Sequence, residues 1–223
     1  MALILHIETS GALCSVALGK DGTLLSIRET DAPNSHAAFS PVFIDEMLKE
    51  TGIVPGQLNA IAISEGPGSY TGLRIGSALA KGMCYTLNIP LIPISTLQVM
   101  ARNAAMEIGD AKAYYAPLID ARRMEVYTAV YNYSNETLIS TAPVIVGPEF
   151  HRDMLKDNTI YYFGSGADKS KRIIEHKNAI FINKFGNSAK NMLDLAFILY
   201  NKKEFADLSS FEPKYLKLFH DLI

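Results

Sequence analysis

The clearest chemical signal in this chain is the segment Glu65–Gly76, EGPGSYTGLRIG, in which five of twelve residues are Gly or Pro. It follows an apolar run that reads as a buried strand, Ile61–Ser64, and precedes small and apolar residues that read as a helix, Gly72–Met83. Glycines at a strand-to-helix turn permit positive φ and close backbone approach. The N–H groups that open the following helix favour an anion such as phosphate. The same spacing also suits a tight turn that binds nothing. Two carboxylates, Glu8 and Asp120, each close an apolar strand, the edge at which open α/β sheets place ligands. Either would orient a Mg²⁺-bound water or a nucleotide, or merely cap its turn. Glu8, Thr9, Gly66, Gly68 and Asp120 are therefore the candidate nucleotide or phosphate residues.

Other chemistries find less support. The five histidines, His6, His36, His151, His176 and His220, include no pair at zinc-ligand spacing, so no metal site is expected. No G-x-S-x-G elbow is present, and nothing points to a catalytic triad. Cys14 and Cys84 lie in apolar segments and read as buried thiols of a reducing, cytoplasmic compartment. Gly72, Gly76 and Ala80 share one helical face at i, i+4 and i+8. Two glycines in a helix cost about 1 kcal/mol each against alanine, which implies a packing purpose, inside the chain or across an interface. Arg74 and Lys81, and the loose cluster Lys169, Lys171, Arg172 and Lys177, read as solvated charge or as anion contacts.

These residues need elements to hold them. The chain has 223 residues, 48% hydrophobic and 20% charged, which suits one large or two small soluble domains. A net charge of −2 supplies no global field for nucleic acid. The N-terminus MALILHIETS carries no basic leader, and no stretch approaches the roughly 18 apolar residues of a membrane helix. Strands are expected at 2–7, 14–18 and 23–29, with a hairpin turn at Lys20-Asp21-Gly22. A helix capped by Asn34 or Ser35 runs to about Glu50, with Pro41 early in it and a stripe of Phe39, Phe43, Ile44, Met47 and Leu48. The strand at 60–64, the glycine turn, its helix and a strand at 90–94 follow, making a mixed sheet with crossover helices.

The second half opens in the same way, with strands at 113–119, 125–133 and 137–146. Leu5–Thr9 aligns with Pro117–Ala121, and Ser15–Leu18 with Val126–Ala129. That repeat indicates a duplicated domain, with lobes at 1–108 and 109–223. Helices are expected at 149–155, 167–176 and 188–200, and the stretch 142–184 matches no pattern well.

The motifs IETSGALCSVAL (7–18), SHAAFSPVF (35–43), SEGPGSYTGLRIG (64–76), PISTLQVMA (93–101), IDARRMEVY (119–127) and EPKYLK (212–217) resemble the TsaB family. The resemblance implies an α/β fold of two related ribonuclease H-like, actin-like ATPase lobes, each a mixed sheet flanked by helices. It implies a non-catalytic scaffold in tRNA threonylcarbamoyladenosine modification. Its expected partners are the transferase TsaD, the ATPase TsaE through the complex, and a second copy of itself. tRNA would be touched only indirectly, and no cofactor would be required. Thr96 and Met100 occupy the places where TsaD carries a metal-binding H-x-x-x-H, and a hydroxyl and a thioether do not replace two imidazoles. The interface expected from this reading comprises His36, Phe39, Phe43, Met47, Gly72, Leu73, Gly76, Ala80 and Met83. The alternative is an ATP- or ADP-binding hydrolase that uses Glu8, Gly66, Gly68 and Asp120, an expectation from fold analogy alone.

Overall fold

A computed structural model describes every residue except Asn34 and 218–223. The expected cap at Asn34 and His220 lie outside the described residues. The chain forms two compact units. The first comprises Met1–Thr96 and Asn187–Lys214, and the second Leu97–Gly186 with residues 215–217 of the described tail. The boundary at 108 read from the sequence is thus moved to Thr96, and the chain returns to its first unit at Asn187. The reason is burial: Ala189, Met192 and Ala196 of the returning segment are fully buried against the first sheet.

The first sheet contains β1 (Leu3–Glu8), β2 (Cys14–Lys20), β3 (Thr23–Thr30), β4 (Ala60–Gly66) and β5 (Leu91–Ser95) in the order β3-β2-β1-β4-β5. β1 pairs antiparallel with β2 and parallel with β4. Side chains alternate across this sheet. Leu5, Ile7, Val16, Leu18, Ile61 and Ile63 face α1 (His36–Thr51) and α2 (Tyr70–Leu87), meeting Phe43, Ile44, Met47, Ala80 and Cys84. The opposite face carries His6, Glu8 and Ser64, and is covered by a 3₁₀ turn at Ala189–Met192 and by α6 (Leu193–Lys202).

The second sheet contains β6 (Tyr114–Asp120), β7 (Glu125–Tyr131), β8 (Thr137–Ile145), β9 (Ile160–Phe163) and β10 (Ala179–Ile182) in the order β10-β9-β6-β7-β8. Read from the other edge, this is the first sheet's order repeated, with the same parallel and antiparallel pairings. α3 (Thr96–Ile108) supplies Leu97, Met100, Ala101, Ala104 and Ala105 to one face. Phe150, Leu155 of α4 (Arg152–Asp157) and Ile174 pack on the other, which α5 (Ala167–Lys171) also joins. The helix expected at 167–176 ends at Lys171, and the one expected at 188–200 is split into the 3₁₀ turn and α6. Among the described residues no helix is long and apolar enough to cross a membrane.

Candidate functional site

The glycine motif and the loop after β1 form one locked assembly within the first unit. β1 ends at Glu8, and the pleat turns its carboxylate towards Ser64, whose hydroxyl also lies 4.0 Å from Met192 Sδ, while Thr9 turns towards α2. Glu8 is fully buried. One carboxylate oxygen accepts the Ser10 N–H at 2.6 Å, and the other accepts the Ser64 hydroxyl. Burial pushes the Glu8 carboxyl above its ordinary range, opposed by these hydrogen bonds and by the charge of His36.

Thr9 donates its hydroxyl to the Gly72 carbonyl at 2.8 Å. A β-carbon at Gly72 would overlap the Thr9 carbonyl, and one at Gly76 would overlap the Thr9 hydroxyl. Gly68 lies against Ser10 in the same way. The Ser69 N–H donates to the Ser10 carbonyl at 2.7 Å, while the Ser69 hydroxyl caps α2 by accepting from Gly72 N–H at 3.2 Å. His36 Nε2 donates to the Gly11 carbonyl at 2.9 Å, and Asn187 donates to the Ser10 hydroxyl at 2.7 Å. Gly66, at φ 109°, sits beneath Lys214, whose N–H donates to the Glu65 carbonyl at 2.7 Å and whose ammonium reaches Glu65 Oε1 at 2.6 Å. The loop's polar groups are thus spent on the chain's own turn and helix.

Of the residues expected at an interface, most are interior. Phe43, Met47, Gly72, Leu73, Gly76 and Ala80 are buried, so the expected small-residue contact is made with Thr9 of the same unit rather than offered at the surface. His36 is half-buried on Gly11. Phe39 is 40% exposed, and Met83 lines a groove of about 400 Å³ with Pro55, Ala78, Leu79, Gly82, Thr86 and Leu87. Val42 and Tyr85, 47% and 83% exposed, also point outward from α1 and α2. A second small-residue row, Ala78 and Gly82 at i and i+4, lies on this outer side, and nothing approaches the β-carbon position of Gly82. That row is present in the sequence too, but with two members to the three of Gly72, Gly76 and Ala80 it is the weaker signal.

The remaining candidates are placed separately. Asp120 ends β6 in the second unit, where it accepts Lys169 Nζ and the Arg122 N–H, both at 2.7 Å. Burial raises its carboxyl and these donors lower it, leaving it below its ordinary value. Thr96 is fully buried at the start of α3, and Met100 packs in the second unit's core. Among the described residues no three His, Cys, Asp or Glu side chains gather as a metal centre. The arrangement is suited to fixing α2 in place and presenting its outer face.

The family model for TsaD, described as tRNA N6-adenosine threonylcarbamoyltransferase, matches residues 29–216. The tRNA threonylcarbamoyladenosine biosynthesis protein TsaB of Bacillus subtilis is 31% identical over 96% of this chain and 94% of its own. The Escherichia coli protein of the same name is 29% identical over 96% and 94%. A Pseudomonas aeruginosa structure described as similar to the peptidase YEAZ superposes with a TM-score of 0.86 at 28% identity, covering 97% of this chain and all of that one. A polyphosphate/ATP-glucomannokinase from Arthrobacter shares the fold alone, at TM-score 0.53 and 9% identity over 91% of this chain and all of its own. Two mixed sheets flanked by helices make this an actin-like ATPase fold, and with these relatives along its length the chain belongs to the TsaD-type family, among its TsaB members, the tRNA threonylcarbamoyladenosine biosynthesis proteins.

Proposed function

We propose that the chain is a non-catalytic subunit of the threonylcarbamoyladenosine assembly and docks TsaD through the outward faces of α1 and α2. The observation that carries this reading is the exposed apolar side of those helices, with Phe39, Val42 and Tyr85 outward and the groove around Leu79, Gly82 and Met83. Exposed apolar and aromatic side chains beside an apolar groove on one helix, as Tyr85 is on α2, are where a protein partner gains most on burial. The bare backbone at Gly82 allows a partner helix to approach closely.

The non-catalytic reading is supported by Thr96 and Met100, where the resemblance places the TsaD histidine pair, and whose side chains are packed inside. The nucleotide alternative is weakened by geometry: Glu8 is engaged by Ser10 and Ser64, and Ser10 holds the space beside Gly68. The reading requires no cofactor and places TsaE contact through TsaD. Without TsaD, the same face would pair two copies of the chain. The two free, buried cysteines suit a reducing cytoplasm.

Titration calorimetry against TsaD tests the interface with Ala78→Arg and Tyr85→Ala. Both side chains are exposed, so each variant should melt like the parent. Each is expected to weaken TsaD binding about tenfold or more, as loss of a central contact does. Unchanged affinity in both would place the interface elsewhere. Sedimentation of the chain alone, with the same variants, reports whether self-association uses this face.

A further inference from the structure

A cavity in the second unit plays no part in the interface above. It has a volume of about 360 Å³ and lies between the turn that opens α4 and the segment that joins α5 to β10. Pockets for small molecules span roughly 300–1,000 Å³, are mostly apolar and carry a few placed polar groups. This one has an apolar floor: Phe150, Leu155 and Ile174 are buried and Ile173 half-buried. Its walls are tied together. The Asn178 side chain donates to the Leu155 carbonyl at 2.8 Å, joining the second segment to α4. Phe150 is backed by the His151 ring, 3.9 Å away between centroids, and His151 Nδ1 lies 3.1 Å from the Tyr162 hydroxyl.

Three polar side chains share the lining: Arg152, Glu175 and His176. Arg152 gives one terminal nitrogen to Glu149 and keeps the other N–H groups of its fork. Among the described residues the exposed Glu175 carboxylate has no side-chain partner. The Asn178 backbone N–H donates to His176 Nδ1 at 3.2 Å, so the neutral ring carries its proton on Nε2, as a donor. One apolar cavity is therefore bordered by a guanidinium and an imidazole N–H, which suit an anionic group, and by a carboxylate, which suits a cationic one. A simple anion would face Glu175, and a simple amine would face Arg152. A ligand that carries both charges satisfies both.

We propose that this cavity binds a free α-amino acid with an apolar side chain. Arg152 and His176 take its carboxylate, Glu175 takes its ammonium, and its side chain lies on Phe150, Leu155 and Ile174. Charge-assisted hydrogen bonds at both ends fix the orientation, and burial of the side chain supplies the non-directional part of the affinity. The tie through Asn178 holds His176 and the α4 wall before the ligand arrives, which lowers the ordering cost of binding.

The test is a ligand-observed NMR titration of the full chain with three probes. They are L-leucine, 3-methylbutylamine, which is leucine without its carboxylate, and 4-methylpentanoate, which is leucine without its ammonium. L-Leucine should bind with a Kd of about 1 mM or tighter, the order expected of so few atoms. Each truncated probe should bind about tenfold more weakly, the effect of one lost charge-assisted hydrogen bond. Glu175→Gln should weaken leucine about tenfold and leave 4-methylpentanoate unchanged. Arg152→Gln should weaken leucine and 4-methylpentanoate and leave 3-methylbutylamine unchanged. Both positions are exposed, so both variants should melt like the parent without ligand. No detectable leucine binding by the parent would overturn the proposal, as would equal affinity for the three probes or unchanged leucine affinity in both variants. Equal binding of L-serine would also overturn it, because the apolar floor would then contribute nothing.

Discussion

Gly76 and Gly82 sit six residues apart on α2 and answer to opposite demands. At Gly76 a methyl group would overlap the Thr9 hydroxyl, whereas at Gly82 nothing lies within 4 Å. Gly76→Ala should therefore destabilise the protein by about 1–3 kcal/mol, the range for an overpacked site. Gly82→Ala should stabilise it by about 1 kcal/mol, the helix-propensity difference, and urea melts of the pair will separate the two roles. The small-residue spacing was legible in the sequence, but its partner was not, because Thr9 is brought there by the sheet. The same holds for Glu8, whose position at a strand end was correct while its inward aim depended on the pleat. His6 and His151 make a further prediction at this scale. Burial lowers both to about 4 from an ordinary 6.5. Between those values the unfolded chain binds protons that the folded chain refuses, so stability should fall as pH drops from 6.5 towards 4. Each ring contributes a slope of the order of 1 kcal/mol per pH unit. Glu8 acts in the opposite sense: its raised carboxyl stabilises most below its ordinary 4.5 and less as pH rises above it. His6→Leu should flatten the acid limb in melts taken across this range, and an unaltered limb would show that His6 is not desolvated.

Elements with strong periodicity were readable, and short ones were not. The three opening strands and the stripe of α1 came from apolar alternation and helical spacing, which local burial imposes directly. β9 and β10 have four residues each, too few for alternation to register. α3 is hard to read from sequence although Leu97, Ala101, Ala104 and Ala105 lie on one face, because alanine gives a weak apolar signal. The tail motif EPKYLK was visible as a motif but not as a clasp, which exists only through its pairing with the end of β4. The clasp allows a division of labour to be predicted. Lys214 is 65% exposed in its ion pair with Glu65, so Lys214→Met should cost less than about 1 kcal/mol. Gly66 combines φ 109° with a β-carbon position 2.9 Å from the Lys214 carbonyl. Gly66→Ala should cost about 1–3 kcal/mol from backbone strain. Thermal melts that ranked these two the other way would mean that the ion pair, not the backbone, holds the tail.

At the scale of the whole molecule, the duplication seen in two short alignments extends to all ten strands among the described residues, whose order and direction repeat. What the sequence hid is that the repeat is not laid out end to end. The second unit is inserted after Thr96, and the chain then returns to finish the first. Local patterning carries no record of which sheet a late helix will cover, so from sequence alone α6 reads as part of the second lobe, whereas it packs on the first sheet. Its burial shows what it contributes: Met192 and Ala196 are fully buried, and Leu193 lies against Gly19. A fragment ending at residue 108 retains β1–β5, α1 and α2 but uncovers the side of the first sheet that carries Ile4, His6, Glu8 and Ser64. It would then expose a buried carboxylate and several apolar side chains at once, a loss comparable to the whole stability of a small domain. Such a fragment should show no cooperative melt, by circular dichroism or calorimetry, and should self-associate. Joining residues 1–96 to 187–217 through a flexible Gly/Ser linker should restore a cooperative transition, because every element that covers the first sheet is then present. A sharp melt from the 108-residue fragment, or none from the linked one, would refute the assignment of the returning helix to the first unit's core.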